Sequence, residues 1–371
     1  MRIPKCKLFT GYAPCQPYKN CLECRDEFPF DTNILIINLD NLGAVLMTTA
    51  QLPAIKRKYP KSLLSWLTRK NARPLLENNP YLDRVYEWND ENRLILTAMK
   101  FDVVMNADKN ANSSALTRHL KADQKLGFGL NDYGATIPLN QGAYYNYRTG
   151  IDDVFKFKLN QKTGQEILAE TFELDYQRDE YVLNLSEQEK AICEKYRTEY
   201  GLEDCSLVVG FNTGCSELFP LKKMTIDQHV TLIRRIAKEL PDVKVLLLGG
   251  KEDTERNRQI KELVGDAAIN TPTTMGLRAG ICFVNLCDLV VSGDSLGMHI
   301  AIGLKKYVIA WFGLSCAQEV DLYDRGVKVV SQLPCSPCWR RTCDDPRCVK
   351  ELDIEKIYQS IVEYYANLNH S

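Results

Sequence analysis

Asp288-Leu289-Val290-Val291-Ser292-Gly293-Asp294-Ser295-Leu296-Gly297-Met298-His299 is the stretch on which the reading of this chain turns. Leu286 to Val291 reads as a buried strand, Ser292-Gly293 as a tight turn, and a helix is expected to begin near Leu296. Such a strand–turn–helix unit belongs to an open α/β sheet, and ligands bind such sheets outside the carboxyl ends of the strands. The first N–H groups of the helix, at Ser295, Leu296 and Gly297, have no partners within it. With the helix dipole they favour an anion. Asp294 is the natural N-cap or a site carboxylate. His299, one turn in, is either a second contact to the anion or a satisfied buried histidine.

Two further turns of this kind lie in the same half. Ser206 to Phe211 is a strand, followed by Asn212-Thr213-Gly214-Cys215-Ser216 and then Lys222-Lys223. The glycine lets backbone N–H groups face an anion, and Lys222 can add a point charge; a solvated lysine pair at a helix entrance is the plainer alternative. Val243 to Leu248 is a strand ending in Gly249-Gly250-Lys251-Glu252-Asp253. Gly250 permits close approach of a ligand, and Glu252 can accept both hydroxyls of a ribose or serve only to charge the next helix. Amphipathic helices are expected at Ile226–Leu240, Glu252–Leu263 and from about Ile354 to Leu368.

The first half shows the same alternation. Asn33 to Leu39 is a continuous apolar run, as in a parallel strand buried on both faces. A helical pattern runs from Val45 to Tyr59 and stops at Pro60. Leu63–Leu67, Val85-Tyr86 and Phe101–Met105 read as further strands. Asp40-Asn41-Leu42-Gly43-Ala44 follows the first strand, and Asp40 is a candidate general base or a loop carboxylate. The polar loop Asn106 to Asn110 can line an acceptor.

With 371 residues, the chain is long enough for two domains of roughly 100–200 residues each. The divisions expected are a Cys-rich leader at 1–32, a doubly wound α/β domain at 33–185, a second α/β domain at 186–331, a Cys-rich knuckle at 332–351 and a C-terminal helix at 352–371. The first domain carries a poorly periodic insertion at about 131–185. A net charge of −1 gives no electrostatic basis for wrapping nucleic acid. No apolar run approaches a membrane span, and Met1 to Cys6 lacks the apolar core of a secretory signal. A cytoplasmic location, with at most peripheral contact at the inner face of the membrane, is expected.

There are 14 cysteines. Cys335-x2-Cys338-x4-Cys343-x4-Cys348 has the spacing of a knuckle whose four thiolates meet one tetrahedral metal, zinc or iron, with reduced thiols as the alternative. Cys6, Cys15, Cys21 and Cys24 are spaced less evenly. They form a second set, separate from the first or sharing ligands with it. Arg340, Arg341 and Arg347 can meet a phosphorylated acceptor or simply be solvated.

Taken together, these residues resemble glycosyltransferase family 9, the bacterial heptosyltransferases that use ADP-heptose. The resemblance rests on Leu39-Asp40-Asn41-Leu42-Gly43-Ala44-Val45-Leu46, Lys56-Arg57-Lys58-Tyr59-Pro60, Asn79-Pro80-Tyr81-Leu82-Asp83, Asn212-Thr213-Gly214 with Lys222, Gly249-Gly250-Lys251-Glu252, and Asp294 to His299. It implies two Rossmann-like domains facing across a cleft, the GT-B arrangement. It further implies an inverting, metal-independent transfer from a nucleoside diphosphate sugar to a lipopolysaccharide-core or other surface glycan. Lys222 would neutralise the diphosphate, Glu252 would hold the ribose, and Met275 would lie near the adenine. Asp294, Ser295, Leu296, Gly297 and His299 would form the phosphate-binding helix start. The family's aspartate base falls on Ala44. Either Asp40 takes its role, or Ala44 replaces an original aspartate, or the chain is a silent nucleotide-sugar binder. A transferase acting on a protein or small-molecule acceptor is a further alternative.

Overall fold

Runs of β-branched and aliphatic residues with no polar interruption form the central strands of two parallel sheets. The computed structural model describes residues 3–25 and 27–368. The chain divides into two compact units. One takes the chain up to Lys156 and again Gln165–Asp179; the other takes Phe157–Gly164 and the chain from Glu180 onward.

In the first unit the strands are β1 (Thr32–Ile37), β2 (Ser62–Thr68), β3 (Arg84–Glu87), β4 (Lys100–Asn106), β5 (Lys121–Leu130) and β6 (Thr136–Pro138), in the order β3-β2-β1-β4-β5-β6. All neighbours are parallel except β5 and β6. Ile34 to Ile37 are completely buried, as a strand covered on both faces requires. The helical pattern after β1 is not one helix. It breaks into Leu42–Thr48, a tighter turn at Thr49–Gln51, and Leu52–Lys58, where Pro53 sits in the first turn that tolerates it.

The second unit repeats the plan with β7 (Leu207–Asn212), β8 (Val243–Leu248), β9 (Ile269–Asn270), β10 (Leu289–Gly293), β11 (Tyr307–Phe312) and β12 (Gly326–Val330). The order is β12-β11-β10-β7-β8-β9, and every pair is parallel. Helix Ile226–Glu239 begins with a reciprocal capping box between Thr225 and Gln228, and Glu187–Glu199 with one between Ser186 and Glu189. Val230, Leu232, Ile233 and Ile236 from the first of these helices pack on Phe211, Val245 and Leu247 of the sheet.

The 131–185 stretch holds more order than its poor periodicity suggests. It contributes β6 and the helices Ala143–Ile151 and Gly164–Thr171, and its last part, from Glu180, goes with the second unit. The C-terminal helix runs Ile354–Leu368; the remainder of its expected span, 369–371, and residues 1, 2 and 26 of the expected leader lie outside the described residues. Among the described residues no helix is long and apolar enough to cross a membrane.

Candidate active site

In both sheets the strand order reverses between the first and fourth strands of the unit, β1/β4 and β7/β10. This is the switch point at which loops diverge and leave room for a ligand. Four of the loops singled out in the sequence leave the carboxyl ends of those strands, and the fifth, Gly249–Asp253, leaves β8 beside β7.

In the second unit Asn212, at the end of β7, ties two turns together. Its amide nitrogen lies 3.0 Å from the Gly214 carbonyl, 3.0 Å from the Ser292 hydroxyl and 2.8 Å from the Ser295 hydroxyl. A Cβ on Gly297 would fall 2.4 Å from the Asn212 side chain, so only glycine lets the helix start come this close. Asn212 is thus a brace between the first and third loops. The Thr213 hydroxyl is also used internally, on the Leu248 carbonyl (3.2 Å) and on Asn257.

Helix Leu296–Gly303 is capped by Ser295, not by Asp294, and the Ser295 side chain makes no capping bond. Its first turn therefore keeps N–H groups without a side-chain cap. Freed from capping, Asp294 accepts a hydrogen bond from Lys222 Nζ at 2.7 Å, and its other oxygen lies 3.8 Å from His299 Nε2. Lys222, Asp294 and His299 are all nearly buried, at 12–13% side-chain exposure. Burial would raise the Asp294 carboxyl. Lys222 and His299, with hydrogen bonds from Lys222 and Ser315, outweigh burial and hold it below the usual carboxylate range. Burial pushes His299 down, opposed by Asp294, so the imidazole is neutral at pH 7. The Tyr181 hydroxyl lies 3.1 Å from His299 Nδ1 and fixes the ring.

The loop after β8 separates two neighbouring carboxylates. Asp253 is buried, accepts from the Gly250 N–H at 3.0 Å and pairs with Lys223 at 3.5 Å. It fills the space where Gly214 would carry a Cβ, with the carboxylate 1.9–2.1 Å from that position. Glu252 is exposed, and Met275 is 55% exposed, so both remain accessible to a ligand.

In the first unit Asp40 is exposed just past β1, and its carboxylate accepts from the Asn41 N–H at 2.7 Å. Asn41 caps helix Leu42–Thr48 by accepting from the Ala44 N–H at 3.0 Å, so Ala44 is half-buried in the first turn. Beneath this loop lies Asp108, from the turn after β4. It is 2% exposed, and its carboxylate accepts from the Leu39 N–H. Arg69 Nε donates to the Leu39 carbonyl at 2.7 Å. Burial, reinforced by the charge of Asp40 and opposed by the Leu39 bond, Asn110 and Arg69, raises the Asp108 pKa to about 8.

The profile of glycosyltransferase family 9 (heptosyltransferase) matches residues 93–348. This chain belongs to that family. It is a glycosyltransferase by family, similar to lipopolysaccharide heptosyltransferase 1 of Campylobacter coli: 24% identical over 305 residues, 76% of this chain and 83% of the relative. Among solved structures, a family 9 glycosyltransferase from Veillonella parvula superposes with a TM-score of 0.70, 16% identity, 92% of this chain and 98% of the other. The ADP-heptose LPS heptosyltransferase II of E. coli gives 0.65, 16%, 90% and 99%. These likenesses carry the fold, two Rossmann-like sheets as in GT-B heptosyltransferases.

The cysteines of this family 9 chain are all free thiols. Cys193, Cys282, Cys287 and Cys316 are buried, as core filler would be. Cys335, Cys338 and Cys343 lie near enough to Cys348 to add to the rise that burial imposes on its pKa. The expected knuckle is nevertheless not closed: among the described residues no three His, Cys, Asp or Glu side chains converge as a metal-binding group. The backbone of this segment is instead fastened to the turn after β11. Cys338 and Trp339 N–H groups both donate to the Leu314 carbonyl, at 3.0 and 2.9 Å. Cys6 packs in the first unit, where its sulfur accepts from the Phe28 N–H at 3.4 Å, while 335–348 lies in the second.

Tyr181, Ser315 and Trp339 touch the Lys222–Asp294–His299 group but gave no signal in the sequence, because each comes from a distant element. Asp108 was visible only as part of a polar loop after a strand; its burial was not.

Proposed function

We propose that the chain transfers a heptose or related sugar from a nucleoside diphosphate donor, ADP-heptose, to a hydroxyl of a lipopolysaccharide-core or other surface glycan, with inversion at the anomeric carbon. The observation that carries this reading is the Lys222–Asp294 pair at the uncapped start of helix Leu296–Gly303. An ammonium and free N–H groups meet there, as a departing diphosphate requires. The name of the E. coli neighbour supports the donor, and the C. coli relative supports a lipopolysaccharide acceptor.

In this reading the acceptor oxygen attacks the anomeric carbon and its proton passes to Asp40. The bond from that carbon to the β-phosphate oxygen breaks, and the electron pair leaves with ADP. Lys222 and the N–H groups of Leu296 and Gly297 take up the leaving charge, Glu252 holds the ribose and Met275 covers the adenine. Gly214 and Gly250 give the backbone its close approach, and Asn212, Thr213 and Ser295 keep the loops in register. The partners are the donor and a glycan or lipid-linked acceptor, at the cytoplasmic face of the membrane. A structural zinc or iron at Cys335, Cys338, Cys343 and Cys348 is supported by their spacing in the sequence alone, and no step runs through it; protein purified without chelator should carry about one metal ion per chain. A chain with none removes this part.

Ala44 supports a second reading, a nucleotide-sugar binder that does not turn over. Incubation with ADP-heptose and a truncated lipopolysaccharide acceptor separates the two. Release of ADP together with a heptosylated product is expected. Tight binding of ADP without product would support the silent binder. Preference for another nucleotide in a thermal-shift panel would overturn the ADP assignment.

A further inference from the structure

The sequence offers Arg340, Arg341 and Arg347 of the Cys-rich segment to a phosphorylated acceptor or to solvent. The packing of that segment puts it against the ammonium assigned to the donor diphosphate. Lys222 Nζ lies 4.2 Å from the centroid of the Trp339 ring and 5.3 Å from that of Phe219. The two rings meet edge to face, with centroids 5.2 Å apart and planes at 83°. Asp294 accepts a hydrogen bond from the same ammonium at 2.7 Å. Two aromatic rings and one carboxylate thus flank the ammonium.

Trp339 does not reach this place by relaxed geometry. Its φ is +51°, in the left-handed region that bulky residues seldom occupy. Its own N–H and the residues just before it are fastened to the turn after β11. The Cys338 and Trp339 N–H groups share the Leu314 carbonyl, and the Ser336 hydroxyl donates to the Gly313 carbonyl. The next residue of that turn, Ser315, hydrogen-bonds Asp294. One turn therefore anchors both the indole and the carboxylate that flank Lys222.

We propose that Trp339 is a positioning residue for donor binding: its ring face holds the Lys222 ammonium beside Asp294 at the helix start, and the Cys-rich segment is the strap that carries it. The proposal rests on the reading of Lys222 as the diphosphate contact. A cation over an indole face is stabilised by the ring quadrupole, and an aliphatic side chain of similar bulk lacks it. Trp339→Leu should therefore weaken ADP binding by roughly three- to tenfold, whereas Trp339→Phe, which keeps an aromatic face, should stay within about twofold of wild type. In turnover the loss should appear in the KM for the donor, with the KM for the acceptor unchanged.

The experiment is calorimetric titration of ADP into the full-length wild type, Trp339→Phe, Trp339→Leu and Lys222→Met proteins, with thermal melts as a folding check. Wild-type binding that is lost in Lys222→Met and weakened in Trp339→Leu but kept in Trp339→Phe is the result expected. Equal binding by Trp339→Leu and wild type, or equal weakening by the Leu and Phe variants, overturns the role of Trp339 while leaving the donor site standing. A wild type that does not bind ADP overturns both. If Trp339→Leu fails to fold, Phe219→Leu removes the other ring from outside the strap, and undiminished ADP binding by that variant overturns the role of the aromatic pair.

Discussion

Asp108 has too little solvent to support a charge, and only the Leu39 N–H, Asn110 and Arg69 oppose that cost. Its folded pKa of about 8 lies far above the ordinary aspartate value of 3.8. Between those limits the native state holds one proton more than the unfolded state, so this group's contribution falls as pH rises and is fully lost above about 8. Asp108→Asn keeps an oxygen for the Leu39 N–H and cannot ionise. Urea titrations from pH 5 to pH 9 should show wild-type stability dropping relative to Asp108→Asn by the order of a few kcal/mol. Parallel curves for the two proteins would mean that Asp108 does not titrate in this range. Asp40, just above it, is exposed and free to meet an acceptor. Asp40→Ala should lower the transfer rate by about 10²- to 10⁴-fold, the usual contribution of a general base. Full turnover in that variant would take Asp40 out of the mechanism, and a faster Ala44→Asp protein would mark Ala44 as the position of a replaced base.

At the scale of elements, the strand–turn–helix units were legible because burial on both faces leaves an uninterrupted apolar run, as in Ile34–Ile37 and Val245–Leu248. β5 was not, because Lys121 to Lys125 lie exposed or half-exposed and carry charge, while Gly127 and Gly129 weaken strand propensity. The strand expected from Leu286 begins only at Leu289: Leu286 is the cap of helix Leu277–Asn285, and Leu286 and Cys287 are as apolar as the strand that follows Asp288. The site loops were visible in sequence as glycine turns after strands, but the division of labour inside them was not. Nothing in Glu252-Asp253 tells that the second carboxylate points inward under Gly214 and the first stays in solvent. This arrangement makes Gly214 a sensitive position. A methyl there meets a carboxylate held by the Gly250 N–H and Lys223, and displacing it gives up both contacts. Gly214→Ala should cost about 1–3 kcal/mol in denaturant unfolding and weaken ADP binding as the Gly250 turn loosens. A variant as stable as wild type would show that the turn relaxes freely.

On the scale of the whole chain, two sheets of the same strand order carry different loop chemistry. The first unit offers one exposed carboxylate at its switch point, Asp40 over the buried Asp108, and the second offers an ammonium and a bare helix start. A reaction that takes a proton from one substrate and stabilises negative charge on the other needs such a difference, and the near-zero net charge of the chain conceals it. The units also differ in what a nucleotide alone should do to them. On the proposed reading ADP binds only the native state, so at about a hundredfold excess over its Kd it should add roughly 2.7 kcal/mol to the opening free energy of whatever segments it clamps. Hydrogen exchange with and without ADP should then slow at 212–216, 249–253 and 293–299 in the second unit. The carboxyl ends of β1 and β4 in the first unit, with the Asp40 loop, should exchange as before, because on this reading the nucleotide makes no contact there. Protection centred on the Asp40 loop, with the helix start at Leu296 unaffected, would move the donor to the other sheet and dismantle the assignment.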